Sequence, residues 1–351
     1  MSALKLDRPP KSICILRLSA IGDVTHVLPI IATLKQQWPE TRITWIIGKV
    51  EYPLVKSLND IDFIVFDKRN GFGEYRKLRQ TLKGINFDVL LMMQVSLRAN
   101  MISLLIRAPI KIGYDKSRAR DFHSLFINQN IDGPARVHVL DTFFQFLEKL
   151  NINNRVMNWL LTIDESNRDF AHQIIGDTPT VIINPCSSAR KNNWRNWPTQ
   201  HYAEVINYLT QNNIQVVLTG GPSSMETSYA SDIAQACRQP PINLVGKTTL
   251  PQLLALIQQA RCLIAPDTGP AHMGTVAGIP VIGLYASSNP LRTGPYNSQA
   301  CSVNVYPETL KKYNQKSVEQ AKWGERVRHQ DVMKSISVES VLARLDNCLN
   351  S

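Results

Sequence analysis

The sequence lacks the features that mark several large classes of protein. No apolar run approaches the roughly 18 residues that cross a bilayer, so a soluble chain is predicted. The six cysteines are scattered and include no C-x-x-C pair, which argues against a zinc site or a disulfide framework. A Walker A motif and a complete G-x-G-x-x-G are also missing, which disfavours P-loop and dehydrogenase functions. Residues 1–11 lack the apolar core of a signal peptide, so a cytoplasmic location is expected.

Acidic side chains are scarce relative to basic ones. There are 28 Asp and Glu against 39 Lys and Arg, a formal net charge of +11. Most of the excess lies between Lys68 and Arg120, where twelve basic side chains accompany three acidic ones. Such a surface attracts an anionic membrane, a phosphorylated substrate or nucleic acid, although a solubilising surface is the simpler interpretation. No RNA-binding aromatic pattern or basic recognition helix is present, so no nucleic-acid partner is predicted.

A regular alternation of strand and helix patterns is present, and it occurs twice. The length of 351 residues exceeds one typical core, so two domains are expected. Short apolar runs typical of buried strands alternate with amphipathic helical patterns, which predicts an α/β fold with two parallel, doubly wound sheets. The predicted strands lie at 13–16, 43–47, 63–66, 89–92 and from 110 in the first half, and at 181–183, 215–218, 262–265 and 281–285 in the second.

A polar stretch at 151–179 suggests the boundary between the two halves. We therefore predict an N-terminal domain at 1–160 and a C-terminal domain at 175–330. The last segment, 331–351, has Val338, Val341, Leu342, Leu345 and Leu349 at helical spacing. This amphipathic helix is predicted to pack back on the first domain.

The segment from Ala265 to Gly274 is a turn from a predicted strand into a predicted helix. In open α/β sheets such turns lie at the carboxyl ends of the strands, where ligands bind, and the free N–H groups of the helix bind phosphate. The Asp267-Thr268-Gly269-Pro270 sequence also starts a helix well without any ligand. Asp23 occupies a similar turn after the first strand, where it too could serve to cap a helix.

Three motifs together carry a resemblance to a known family. They are Leu18-Ser19-Ala20-Ile21-Gly22-Asp23-Val24 followed by His26 and Leu28-Pro29, Arg195-Asn196-Trp197-Pro198, and Asp267-Thr268-Gly269-Pro270-Ala271-His272. In order and spacing they resemble the heptosyltransferases of glycosyltransferase family 9 over nearly the whole chain. The resemblance implies a GT-B fold, with two Rossmann-like domains facing a central cleft. It also implies inverting transfer of a heptose from ADP-heptose to the inner core of lipopolysaccharide, at the cytoplasmic face of the inner membrane.

The resemblance also implies roles for particular residues. Asp23 matches the catalytic carboxylate, which would act as general base on the acceptor hydroxyl. Either Lys191 or Arg195 would contact the donor phosphate, and Glu226 resembles the acid that contacts the ribose, although it also suits a helix start. The full predicted donor site is Ser187, Ser188, Lys191, Arg195, Glu226, Asp267, Thr268, Gly269 and His272. The predicted acceptor site is Arg17 with Arg118 or Arg120, facing an anionic lipid of the Kdo-lipid A type.

Other functions remain open on the sequence alone. The same fold could use a different nucleotide sugar, act as a nucleotide-sugar epimerase, or be a non-enzymatic module that binds nucleotides or polyanions. No metal cofactor is expected, because Asp60-Ile61-Asp62 matches the Asp-x-Asp letters but precedes a strand. Acceptor choice and oligomeric state are not predictable from these residues.

Overall fold

We describe the fold from a computed structural model of the chain. The structure describes residues 4, 6–159, 161–187 and 193–349. The chain divides into two units, Met1–Thr162 and Ile163–Ser351, and the division falls inside the polar stretch predicted as a boundary.

Unit 1 is a parallel sheet with helices between its strands. The strands are β1 (Ser12–Leu16), β2 (Arg42–Gly48), β3 (Ile61–Phe66), β4 (Val89–Leu91), β5 (Ile110–Gly113) and β6 (Gln129–Asn130). The helices are α1 (Ile21–Gln37), α2 (Tyr52–Val55), α3 (Phe72–Thr81), α4 (Leu97–Ser103) and α5 (Val139–Lys149).

The sheet of unit 1 has the order β3-β2-β1-β4-β5-β6, with every pair parallel. The central strands β1 and β4 are buried throughout almost their whole length, as expected for parallel strands covered on both faces. The strand order reverses between β1 and β4, and ligands of open α/β sheets bind outside the carboxyl ends of strands at such a reversal. Asp23, in the first turn of α1, follows β1 and therefore lies at this edge.

Unit 2 repeats the same arrangement. Its strands are β7 (Thr180–Ile183), β8 (Gln215–Leu218), β9 (Ile242–Asn243), β10 (Cys262–Pro266), β11 (Val281–Tyr285) and β12 (Val303–Asn304). Its helices are α6 (Glu165–Ile175), α7 (Thr199–Gln211), α8 (Ser224–Ala236), α9 (Leu250–Gln259), α10 (Gly269–Ala277), α11 (Pro290–Thr293), α12 (Tyr306–Thr309) and α13 (Val338–Leu349).

The second sheet is also parallel, with the order β12-β11-β10-β7-β8-β9. The reversal here lies between β7 and β10, and Asp267 directly follows β10. Each unit thus has the strand order of a Rossmann-like fold, and the α/β prediction is confirmed. None of the helices among the described residues is long and apolar enough to cross a membrane.

Two expectations about elements need correction. Helix α13 does not offer its apolar face to the first domain, because Val338, Val341 and Leu345 are buried in the core of unit 2, where α13 packs on α7, β11 and β12. The polar stretch at 151–179, for which no helix was predicted, contains α6. This helix is capped by the Asp164 carboxylate, which accepts from the Asn167 N–H at 3.0 Å, and it packs on α9.

Candidate functional site

In unit 1, Asp23 lies at the carboxyl edge of the sheet as the third residue of α1. Its Oδ2 forms an ion pair with the Arg17 guanidinium and accepts a hydrogen bond from the Ala20 N–H at 3.3 Å. The side chain is 31% exposed. Both contacts use Oδ2, so Oδ1 is the oxygen available to an acceptor hydroxyl. The local capping role foreseen for Asp23 is therefore present, and it leaves one oxygen for chemistry.

Arg17 is buried beneath this carboxylate. Its guanidinium also donates to the Met93 carbonyl and lies 5.3 Å from the centre of the Phe143 ring. A buried guanidinium that is itself fixed by a carbonyl holds a carboxylate in one orientation. The sequence analysis predicted that Arg17 binds the acceptor. The contacts observed suit it instead to positioning Asp23.

Gln94, which the sequence analysis did not single out, holds the loop that leads into α1. Its Oε1 accepts from the Leu18 N–H at 2.7 Å and from the Ser19 N–H at 3.3 Å. Gln94 follows β4, the strand beside β1, so a polar residue after a buried strand was the available signal. This side chain fixes the backbone from which Asp23 projects.

The two candidate acceptor arginines differ in their surroundings. Arg118 pairs with Asp115 and donates to the Gln145 Oε1 at 2.5 Å and to the Gly133 carbonyl at 3.3 Å. Arg120, in contrast, is exposed. The structure thus commits Arg118 to holding its own loop, and of the two it is Arg120 whose charge faces solvent.

A small pocket lies beside Ser19 at the same edge. Its lining includes Glu51 and the basic side chains of Lys68, Arg69 and Arg98. Burial raises the pKa of the Glu51 carboxyl, against the effect of its own backbone hydrogen bond and of nearby Lys68 and Arg17. The pocket therefore combines a buried acid with exposed positive charge, which suits a substrate carrying both hydroxyl and anionic groups.

In unit 2, the structure brings Arg195 and Asp267 together. The Arg195 Nη1 donates to the Asp267 carbonyl at 2.6 Å and lies 3.3 Å from its Oδ2. Arg195 is held by the motif that contains it, because Trp197 is fully buried and its Nε1 donates to the Ile336 carbonyl at 3.0 Å. Trp197 thus anchors the Arg-Asn-Trp-Pro motif, and the motif places the Arg195 guanidinium at the end of β10.

A second set of arginines at this edge was missed by the sequence analysis. The Arg326 Nη2 lies 3.7 Å from the Asp267 Oδ2. Partial burial lowers the pKa of Arg326; Asp267 acts in the opposite direction, and the neighbouring guanidiniums of Arg195, Arg292 and Arg328 lower it further. Positive charge therefore exceeds negative charge around Asp267, an arrangement suited to a multiply charged anion.

The position of Arg326 follows from its neighbour Val327. This side chain is fully buried, and its N–H donates to the Ser287 carbonyl at 2.9 Å while its own carbonyl accepts from the Ser287 hydroxyl at 2.8 Å. Ser287 comes just after β11, the strand next to β10. These two hydrogen bonds hold the segment around Arg326 at the edge of the sheet where β10 and β11 end. In the sequence this segment is only polar and basic.

Helix α10 points its N-terminus at the same edge. Thr268 is its N-cap, but the Thr268 hydroxyl makes no capping hydrogen bond, and Gly269 and Pro270 form the first turn. The prediction that this segment starts a helix is confirmed. Free N–H groups at a helix start attract phosphate oxygens. His272 lies farther along the first turn and is buried.

Two further predicted donor residues are held in local networks. The Ser187 hydroxyl donates to the Asn193 Oδ1 at 2.7 Å, at the end of the loop after β7. Glu226 accepts from the Gly221 N–H at 2.6 Å and from the Ser223 hydroxyl at 3.1 Å, so it serves the helix start that was foreseen as an alternative to ribose binding. The predicted Ser188 and Lys191 lie outside the described residues.

Comparisons with known proteins identify the family and the fold. Residues 75–322 match the family model of glycosyltransferase family 9 (heptosyltransferase). The lipopolysaccharide core heptosyltransferase OpsX of Haemophilus influenzae is 40% identical over 96% of both chains, and lipopolysaccharide heptosyltransferase 3 of Escherichia coli K12 is 25% identical over 76% of this chain and 80% of that relative.

Solved structures show the same fold. The crystal structure of a family 9 glycosyl transferase from Veillonella parvula superposes with a TM-score of 0.79 at 23% identity, covering 99% of each chain. E. coli heptosyltransferase WaaC with ADP gives a TM-score of 0.73 at 17% identity, covering 96% of this chain and 99% of that one. On the family model and the 40% identical relative, the chain belongs to glycosyltransferase family 9, the heptosyltransferase family.

Proposed function

We propose that this protein is an inverting glycosyltransferase that moves a heptose from ADP-heptose to the inner core of lipopolysaccharide. The observation that carries the proposal is the excess of guanidinium groups around Asp267 at the start of α10, which suits a nucleoside diphosphate. Family membership supports heptose as the sugar, and the name of the 40% identical relative supports the lipopolysaccharide core as the acceptor. ADP in the solved E. coli heptosyltransferase supports the nucleotide.

The proposed reaction is a single displacement at the anomeric carbon. The bond from this carbon to the diphosphate oxygen breaks, the bond to the acceptor oxygen forms on the opposite face, and the acceptor proton passes to the Asp23 Oδ1. Arg17 holds the carboxylate for this transfer. Charge develops on the departing diphosphate, where Arg195, Arg326 and the N–H groups of α10 stabilise it.

The donor site in this proposal extends the predicted one. Arg195 is the described candidate for the phosphate contact, with Arg326 as an additional contact. Glu226 retains oxygen lone pairs for a ribose hydroxyl beside its bonds to Gly221 and Ser223. Arg120 and the basic side chains of the Ser19 pocket are proposed to meet the anionic acceptor.

The proposal includes no metal ion, because arginines and helix N–H groups supply the neutralisation that a divalent cation gives in metal-dependent transferases. We expect excess EDTA to leave the rate of ADP release unchanged. A rate that falls with EDTA and returns with added magnesium or manganese would contradict this part of the proposal.

The proposal places the protein in the cytoplasm, at the inner face of the inner membrane, where a lipid acceptor is accessible. The experiment that tests the function is ADP release from ADP-heptose by the purified protein, with and without a deacylated Kdo-lipid A acceptor. Release that depends on the acceptor, together with a product heavier by one heptose, is the expected result. Release of UDP or GDP from the corresponding nucleotide sugars, with no release of ADP from ADP-heptose, would overturn the proposed function. Epimerisation of the donor without transfer would also overturn it.

A further inference from the structure

Exposed apolar side chains are concentrated in unit 1. Among the described residues, nine of the ten large apolar side chains that are exposed belong to this unit, and Leu291 is the one in unit 2. Five of the nine lie on α4 and on the 3-10 helix at His123–Leu125 or beside them. We call these five side chains the α4 surface: Leu97, Met101, Leu104, Phe122 and Leu125. Exposed apolar side chains concentrated in this way mark an interaction site.

Helix α4 carries large apolar side chains on its outer side. Leu97, Met101 and Leu104 follow each other at spacings of four and three residues, so they form one stripe, and they are 59%, 44% and 60% exposed. The opposite side buries Ala99 and Ile102. A surface helix normally turns a polar side to water, so the outer stripe of α4 indicates contact with an apolar partner.

Phe122 and Leu125 extend this stripe. The Asn100 side chain of α4 joins the two segments, since it donates to the Asp121 carbonyl at 2.7 Å and its Oδ1 lies 2.9 Å from the His123 Nδ1. His123 is itself buried, whereas Phe122 and Leu125 are both 77% exposed. Phe122 has a φ of 57°, in the left-handed region that bulky residues rarely adopt. The segment is thus held with its two large apolar side chains outward.

Positive charge surrounds the α4 surface. Arg98, Lys116 and Arg120 are exposed in the same segments, while Asp115 is occupied by Arg118 and Asp121 is the exposed acid. Apolar side chains flanked by Arg and Lys fit the boundary between acyl chains and anionic headgroups of a bilayer. From this complementarity we infer that the α4 surface docks unit 1 on an anionic membrane.

The position of the surface matches the proposed function, on which this inference rests for its biological meaning. Helix α4 follows β4 and the second segment follows β5, and β1, β4 and β5 are adjacent parallel strands. Their carboxyl ends form one edge of the sheet, so the α4 surface lies on the edge that carries Asp23. Docking there brings the proposed base toward an acceptor held in the same bilayer.

The test measures co-sedimentation of the full-length protein with vesicles of phosphatidylethanolamine and phosphatidylglycerol, and with vesicles of phosphatidylcholine alone. We expect binding to the anionic vesicles, and a loss of about tenfold or more in the double variant Phe122→Ser/Leu125→Ser, because insertion of apolar side chains and attraction to anionic lipid act together. The variant Leu97→Ser/Leu104→Ser should show the same loss. Leu291→Ser, which changes a 56% exposed leucine in unit 2, is the matched control and should bind as the wild type does.

The substituted side chains are exposed, so each variant should keep the melting temperature of the wild type. Equal vesicle binding by the wild type and both double variants would overturn the inference. So would a wild type that is dimeric in solution and becomes monomeric in the variants without any change in vesicle binding, because the surface would then join two copies of the chain. Transfer to the deacylated acceptor is measured in parallel and should not change in the variants. Its absence in the wild type would refute the proposed function while leaving the vesicle result valid.

Discussion

Asp23 and Asp267 each follow a parallel strand at a reversal of strand order and precede a helix, yet their surroundings differ. Asp23 is partly exposed and has one carboxylate oxygen occupied by Arg17 and Ala20. Asp267 is buried and faces Arg195 and Arg326. The first arrangement suits a base that receives a proton. The second suits a residue that holds arginines in place for an anion.

Replacing Asp23 by Asn tests the first role. We expect kcat for ADP release to fall by about 10²- to 10⁴-fold, the usual contribution of a general base, because the amide cannot accept the proton. The dissociation constant for ADP should not change, because the residues proposed to hold the donor lie in unit 2. Steady-state kinetics and calorimetric titration with ADP give the two quantities.

Asp60→Asn is the control for this substitution, since it makes the same chemical change at an exposed carboxylate of unit 1 that pairs with Lys35. Its kcat should equal that of the wild type. An Asp23→Asn protein with undiminished kcat would rule out Asp23 as the base and leave it a helix-capping residue.

Arg326→Gln tests the arginine cluster. We expect the dissociation constant for ADP to rise about tenfold, because a hydrogen bond to a charged group contributes about 1.5 kcal/mol or more and about 1.4 kcal/mol is a factor of ten. Calorimetric titration measures the change. Arg344→Gln removes an exposed arginine from α13 of the same unit and should bind ADP normally. Unchanged ADP affinity in Arg326→Gln would show that Arg326 only balances the Asp267 charge.

Single residues also show where prediction from sequence reaches its limit. Asp23, Arg195 and Asp267 belong to motifs at strand and helix ends, so their edges of the sheet were predictable. Arg326 was not, because it lies about sixty residues beyond the Asp267 motif in a segment without periodic pattern, and only the pairing of Val327 with Ser287 brings it there. The engagement of Arg118 by Asp115 and Gln145 is likewise invisible in sequence.

At the scale of elements, long apolar runs were easy to find and short or polar elements were not. Strands β8 and β11 have the predicted bounds, because buried parallel strands read as continuous apolar runs. The edge strands β6, β9 and β12 have two residues each, too few for any pattern. Helix α6 was missed since its polar residues outnumber the apolar ones and its partner α9 is about eighty residues away. The periodicity of α13 predicted a helix, but it could not show which part of the molecule its apolar side packs against.

The corrected place of α13 gives a prediction about stability. Leu345 is fully buried in the core of unit 2, so Leu345→Ala removes packing that the neighbouring side chains cannot replace. We expect a loss of about 2–5 kcal/mol in the free energy of unfolding, measured by urea denaturation. Leu291→Ala makes the same change at an exposed site and should cost less than about 0.5 kcal/mol. Equal midpoints for the two variants would mean that α13 is not part of the core of unit 2.

At the scale of the whole molecule, the positive charge is unevenly divided. Residues 1–162 carry 23 basic and 14 acidic side chains, whereas residues 163–351 carry 16 and 14. The excess of unit 1 serves no donor contact in the proposed reaction, because the diphosphate site lies in unit 2. The broad positive field of unit 1 and the apolar side chains of the α4 surface together favour binding to an anionic bilayer.

This division predicts how salt affects the reaction. Raising the ionic strength from about 0.1 M to about 1 M shortens the Debye length from about 10 Å to about 3 Å, which screens attraction between exposed charges. Transfer to an acceptor embedded in phosphatidylglycerol vesicles should therefore fall steeply with salt. Transfer to the deacylated acceptor in solution should fall much less, because this acceptor meets only the few basic side chains proposed for its site and gains nothing from attraction between the rest of unit 1 and a charged bilayer. The ratio of the two rates isolates the membrane contribution, because any effect of salt on donor binding cancels. A ratio that stays constant across this range would mean that the positive charge of unit 1 acts on the acceptor itself and not on the bilayer around it.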